Sequence, residues 1–123
     1  MPARIGRLKQ RSEFLAVAAA RNKWVAPGLI LQAQRSILEA IEEDSLRVGY
    51  TVSKKVGNSV KRNRARRRLR AVTNQTFPAH AATGMDYVVI GRRDTLSRTF
   101  KDLRSDLENA LQRLKLWRED AKL

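Results

Sequence analysis

The sequence contains no cysteine. That excludes a disulfide framework and any thiolate metal site, and it is compatible with a reducing cytoplasm. It contains one histidine, His80, with no other ligand types at metal spacing. A lone histidine of this kind reads as a loop residue, not as a metal ligand or a catalytic base. Acids are scarce: 12 Asp and Glu stand against 26 Lys and Arg, a formal charge of +14 in 123 residues. One acidic patch, at 37–45, carries Glu39, Glu42, Glu43 and Asp44 and reads as a solvated loop between strands. A carboxylate pair for acid–base chemistry would need a pocket that nothing there indicates. No hydrophobic run is long enough to cross a bilayer. The nearest, Phe14 to Ala20, is short, follows Glu13 and reads as a helix face rather than a signal peptide.

What is present is cation. Residues 54–70 hold Lys54, Lys55, Lys61, Arg62, Arg64, Arg66, Arg67, Arg68 and Arg70, with no acid among them. Such a run repels itself and needs a partner or much solvent. A disordered tail fits poorly, because an apolar stripe is threaded through the charge. Ala65, Leu69, Val72 and Thr76 recur at one face of a helix. The opposite face carries Asn63, Arg67, Arg70 and Asn74, with Arg66 beside them. Lys61, Arg62 and Arg68 fall near the stripe's edges, where their stems can cover it. Asn58 or Ser59 can cap the helix start, and Lys54 and Lys55 stand just before it. This is a helix packed on one side and offered to phosphate on the other. Polyanion binding through it should be strong and steeply salt-dependent, and arginine forks suit phosphate oxygens.

At this length one domain spans 1–123, with a single modest core. A hydrophobic content of 42% argues against wholesale disorder. Residues 1–11 read as basic and loosely ordered, with Ile5 and Leu8 as anchors. Ser12 reads as the cap of a short helix at 13–21. Between 22 and 36 a short edge strand, a Pro27-Gly28 turn and a second strand follow. Trp24 fits either a core plug or a base-stacking platform. Alternation of Leu46, Val48, Tyr50 and Val52 predicts a strand at 46–53. The basic helix then runs to about Gln75, ended by Phe77-Pro78. A strand at 86–92 and an amphipathic helix from Ser97, its cap, to about Trp117 complete the order, with a loosely ordered tail at 118–123. Phe100, Leu103, Leu107, Leu111, Leu114 and Trp117 form the last helix's stripe. The order is αβββαβα: an α+β protein, a small two-layer α/β sandwich with one sheet.

The stretch from Arg47 to Arg70, RVGYTVSKKVGNSVKRNRARRRLR, makes the reading specific. A strand ending in Ser53-Lys54-Lys55, then Gly57-Asn58, then Arg62-Asn63-Arg64 closely resembles the protein subunit family of bacterial ribonuclease P. Arg7-Leu8-Lys9, Ser12-Glu13-Phe14 and the strand from Asp86 extend the resemblance over most of the chain. The resemblance implies a left-handed βαβ crossover, against the general right-handed rule. It also implies a cytoplasmic ribonucleoprotein that removes the 5′ leader of precursor tRNA. In that enzyme the RNA subunit does the chemistry with Mg²⁺, and no obligate protein partner is evident. The protein subunit itself then has no catalytic residue and no metal site. Arg62, Asn63, Arg64, Arg67 and Arg68 carry over as contacts to the catalytic RNA, supported by Lys54 and Lys55. Phe14 and Tyr87 match aromatic positions of the family's leader cleft, with Trp24 as a further candidate. Two places where family members often carry an aromatic are Ala18 and Gln32 here. A plain structural RNA-binder explains the charge without the motif order. A cationic membrane-surface protein fits less well, because the basic helix has little apolar bulk opposite its charges.

Overall fold

The computed structural model describes residues 2–36 and 44–119. Along them lie β1 (Arg4–Arg7), α1 (Arg11–Ala19), β2 (Lys23–Val25), β3 (Leu29–Arg35), β4 (Ser45–Thr51), α2 (Ser59–His80), β5 (Met85–Gly91) and α3 (Phe100–Arg113). Short 3₁₀ turns occupy Lys54–Val56 and Arg93–Thr95. The strands form one sheet in the order β1-β4-β5-β3-β2. β1 pairs with β4 in parallel, and so does β5 with β4, while β3 is antiparallel to β5 and to β2. The α2 helix is therefore the crossover between two parallel neighbours, β4 and β5. The expected α+β class with a single sheet is what the chain adopts.

The chain departs from expectation first at its start. Residues 4–7 are a strand, not loosely ordered chain, so the element order gains a β before the first helix. Four residues with one apolar side chain are too short to show an alternation. What makes them a strand is tertiary. Ile5 registers with Leu46, Ala3 N donates to Pro78 O at 2.7 Å, and Leu8 N donates to Val48 O at 3.1 Å. Ile5 and Leu8 do anchor the segment: Ile5 packs on the main core and Leu8 is buried.

The pleat then sorts the core. Tyr87 and Val89 of β5, Leu29, Leu31 and Ala33 of β3, and Leu46 and Val48 of β4 share one face with α2 and α3. Val88 and Ile90 point the other way, where Leu8, Phe14 and Val17 meet them. So α1 covers part of the second face and adds a partial third layer to the two expected. Its cap also differs: α1 starts at Arg11 after Gln10, and Glu13 rather than Ser12 closes the turn. The Glu13 carboxylate accepts from the backbone N–H of Lys9 and of Gln10, both at 2.9 Å.

On α2 the predicted stripe is buried as a unit: Ala65, Leu69, Val72 and Thr76 are at most 2% exposed. The helix does not stop at Gln75. It continues through Pro78 to His80, because Phe77 is fully buried against the Tyr87 ring, centroids 4.9 Å apart. Proline lacks one N–H bond to the preceding turn. The freed end is held from outside: Arg118 donates to Pro78 O at 2.8 Å and to Ala81 O at 2.7 Å. Arg118 is thus a fixed clamp and not loose tail, and residues 120–123 lie outside the described residues. His80, expected in a loop, sits in the helix's last turn with its ring stacked on Trp117 at 4.0 Å.

The α3 helix starts at Phe100 with Thr99 as its cap, later than the expected Ser97, and ends at Arg113. Leu103, Leu107 and Leu111 are fully buried, each contributing about 1.5–3 kcal/mol. Of the acidic loop, Glu39, Glu42 and Glu43 lie outside the described residues.

Asp106 ties α3 to the sheet. It accepts from Gly28 N at 3.0 Å and from Arg98 at 3.0 and 2.8 Å. Asp106→Ala leaves a buried N–H and a guanidinium without their acceptor. Solvent can reach the Arg98 side chain, so the main loss is at the buried Gly28 N–H, whose unmet hydrogen bond costs about 1–3 kcal/mol. Denaturant unfolding should show that loss; a change below ~1 kcal/mol would mean that solvent replaces the carboxylate.

Candidate nucleic-acid interface

The basic surface is built from the end of β4 onward. Ser53 opens the 3₁₀ turn by accepting from Lys55 N, and buried Val56 pins it to the core. That leaves Lys54 and Lys55 exposed. Gly57 then takes φ +151°, where a Cβ would lie 2.7 Å from the Lys61 side chain. Asn58 caps α2 by accepting from Lys61 N at 2.9 Å. With the stripe buried, Lys61, Asn63, Arg64 and Arg67 are exposed, and Arg62, Arg66, Arg68 and Arg70 are partly covered.

The ion pairs explain why this surface stays cationic. Those among the described residues join Arg4 to Asp44, Arg47 to Glu13 and Asp86, and Arg98 to Asp106; no cation of α2 takes part. Arg66 donates to Asn63 Oδ1 at 3.0 Å, which stiffens it without neutralising it. Arg62 Nε and Arg70 Nε are buried without an acceptor among the described residues. Arg68 is different from its neighbours. Its Nε donates to Thr95 O at 2.9 Å and its Nη2 to Arg98 O, so its guanidinium is used inside the fold to bind α2 to the start of α3. That internal use sets it apart from exposed Arg67 beside it.

The expected aromatic cleft is not assembled. Phe14 lies on the α1 face, partly exposed, with its ring over Gly49; a Cβ there would meet the ring at 2.5 Å. Tyr87 faces the other side of the sheet, fully buried, with its hydroxyl donating to Ala82 O at 2.7 Å. Burial holds that phenol above its ordinary range. Tyr87 is a core residue because its register partners, Val48 and Ala33, are on the face that α2 and α3 cover. Trp24 shares that face and packs on the core beneath the Arg113 guanidinium, 5.2 Å from the ring centroid. Of the three, Phe14 alone remains beside the basic surface.

Phe14 is positioned by charge. Arg47 of β4 donates to Asp86 Oδ1 at 2.9 Å and Oδ2 at 2.7 Å, and its Nη1 donates to Glu13. Glu13 precedes Phe14, so the same guanidinium registers α1 on the sheet. The Gln10 and Lys9 N–H groups, more than Arg47, hold the Glu13 carboxyl down to about 2, against the opposing effect of burial. Hydrogen bonding to Asp86, then to Glu13, raises Arg47 further. Sequence reasoning named Tyr50 for the β4 alternation and Arg7 and Lys9 for the resemblance, none of them as a site residue. The alternation that places Ile5 on the α2 side places Arg7 there too. No helix of the described residues is long and apolar enough to cross a membrane.

Residues 3–115 match the family model described as Ribonuclease P. The ribonuclease P protein component of Paramagnetospirillum magneticum is 62% identical over 114 residues, covering 93% of this chain and 86% of that protein. That of Gluconacetobacter diazotrophicus is 46% identical and covers 92% and 94%. The solved RNase P protein of Staphylococcus aureus superposes with a TM-score of 0.74 at 24% identity, over 91% of this chain and 97% of that one, a likeness of fold.

Glu13 sets a pH dependence. Its folded pKa of about 2 lies below the ordinary glutamate value near ~4.3, so its stabilisation is present above that value and is lost as pH falls toward 2. Glu13→Gln should lower the melting temperature at pH 7 and converge on the parent protein near pH 2. Parallel curves across that window would remove Glu13 from the linkage.

Proposed function

The chain belongs to the bacterial ribonuclease P protein family, which makes it the protein component of an endoribonuclease complex that matures the 5′ ends of tRNA with a partner RNA; on that premise we propose how the work is divided. The partner RNA carries the chemistry. The protein binds that RNA through Lys54, Lys55, Lys61, Arg62, Asn63, Arg64, Arg66, Arg67 and Arg70, and it holds the 5′ leader of precursor tRNA beside Phe14. The observation that carries this reading is the α2 surface, whose cations have no carboxylate partner among the described residues. Counterion release on phosphate contact then supplies the affinity.

The reading assigns Mg²⁺ to the RNA. The described residues hold no group of three or more His, Cys, Asp or Glu side chains able to bind a metal ion. Glu13, Asp86 and Asp106 are already engaged by arginines. What this chain does is electrostatic and positional. It screens phosphate repulsion between two RNAs and orders a single-stranded leader, so the RNA reaches its reactive geometry with less Mg²⁺.

Reconstitution tests this directly. Protein and a bacterial ribonuclease P RNA are mixed at low Mg²⁺ with a precursor tRNA, beside each component alone and the RNA with an unrelated basic protein. The matched mixture alone should cut at the mature 5′ end. Equal cutting with the unrelated protein would reduce the effect to bulk charge. Cutting by this protein alone would place an active site in it.

Arg67 and Arg68 should separate cleanly despite being adjacent. Arg67→Ala should weaken RNA binding and reduce the salt slope by about 1. Arg68→Ala should lower stability by about 1 kcal/mol, since two partly buried carbonyls lose a donor, and leave the slope nearly unchanged. Salt-dependent binding and denaturant titration of both variants decide the matter; the reverse pattern would exchange their roles.

A further inference from the structure

Little apolar surface holds α1 to the sheet. Val17 is the one buried residue of the helix, and it meets Leu8 and Val88, with Phe14 and Ile90 at the margin. Leu15, the other large apolar side chain of α1, is 55% exposed. The helices α2 and α3 bury whole stripes instead. One ion pair among the described residues ties α1 to another element, and it is Glu13 with Arg47.

The acceptors of Arg47 fall into two halves. Its Nε and Nη2 donate to the two oxygens of Asp86, at 2.9 and 2.7 Å, across the parallel register that pairs these residues. The Asp86 side chain is 4% exposed, so this half is a fixed part of the sheet. The Nη1 group reaches out of the sheet to Glu13. The other Glu13 oxygen accepts from the N–H groups of Lys9 and Gln10, bonds local to the first turn of α1. Taking away the guanidinium therefore leaves the start of α1 capped and removes its attachment. All three guanidinium nitrogens are engaged inside the protein, so Arg47 has none left for a phosphate.

We propose that Arg47 is a positioning residue for the 5′ leader: it fixes the setting of α1, and with it Phe14, against the sheet without touching RNA. The proposal rests on the function proposed above, in which the leader lies beside Phe14. An effect of Arg47 on RNA passes through α1 and spares the α2 surface. It is then confined to substrates that carry a leader.

Arg47→Gln alone would strand the buried Asp86 carboxylate. The test variant is therefore the neutral pair, Arg47→Gln with Asp86→Asn, which leaves Glu13 its two backbone donors. Hydrogen exchange of the free full-length protein reads the attachment. Amides of α1 should exchange about tenfold faster, while those of α2 and β5 keep their protection. In the reconstituted complex the affinity for the catalytic RNA should be unchanged. KM for a precursor with a long leader should rise about tenfold with kcat unchanged. KM for a precursor with a single-nucleotide leader should stay the same. Arg47→Lys keeps a cation between the two carboxylates and should give a smaller shift of the same kind; it carries the comparison if the pair variant does not fold. Unchanged α1 protection in a folded variant, or a KM that rises equally for both precursors, would overturn the proposal. A parent protein that gives no leader-dependent gain in KM would remove the leader reading itself. The exchange result then still decides whether Arg47 is the attachment of α1.

Discussion

The structure depends on α2 being held against the sheet while its other side repels itself. Leu69 and Val72 are fully buried there, and each such side chain contributes about 1.5–3 kcal/mol. Exposed charge pairs on a helix are worth about 0.3–0.5 kcal/mol, so a handful of like-charge contacts erodes that gain without cancelling it. Salt or bound phosphate removes the erosion. The same residues that make the helix costly to fold in isolation make it a phosphate surface once folded. The apolar stripe is what converts a repelling run into an ordered one.

The arginines divide into two populations by what surrounds them. Arg47, Arg68, Arg92, Arg98 and Arg118 are used within the protein, on carboxylates or on backbone carbonyls. Four of them join elements distant in sequence: Arg47 joins β4 to α1, Arg68 joins α2 to the start of α3, Arg92 joins the end of β5 to the β2–β3 turn, and Arg118 joins the end of α2 to the tail; Arg98 holds the Asp106 carboxylate eight residues on. The guanidinium fork suits this work because it satisfies two acceptors at once. The remaining arginines of α2 face outward without carboxylates. Net charge alone does not separate structural from functional cations, and Arg68 beside Arg67 shows how sharply the boundary can run.

Much of the architecture was legible because its signals were local. The α2 stripe, the alternation of β4 and the leucine face of α3 each follow from spacing within one element, and each is buried as spacing requires. Other features were illegible for identifiable reasons. β1 carries too few residues for a period, and its partner is about 40 residues away. Pro78 reads as a helix stop, because the clamp from Arg118 that supports the last turn lies beyond any local window. The aromatic cleft failed for a third reason. Phe14, Trp24 and Tyr87 match by residue type, but the pleat decides which face of the sheet each one takes.

The sequence by itself determined the chemistry: an excess of cation without acid, gathered on one face of one helix, in a motif order that resembles a single family. These are properties of composition and period, and folding does not alter them. Only the tertiary structure decided which cations are free and which are consumed as internal donors. It also put Phe14 and Tyr87 on opposite faces of the sheet. The physical reason is range. Periodicity reports which side of an element is apolar, whereas a pocket depends on which sides of different elements meet. That meeting is set by sheet register and by buried pairs such as Arg47 with Asp86 and Glu13.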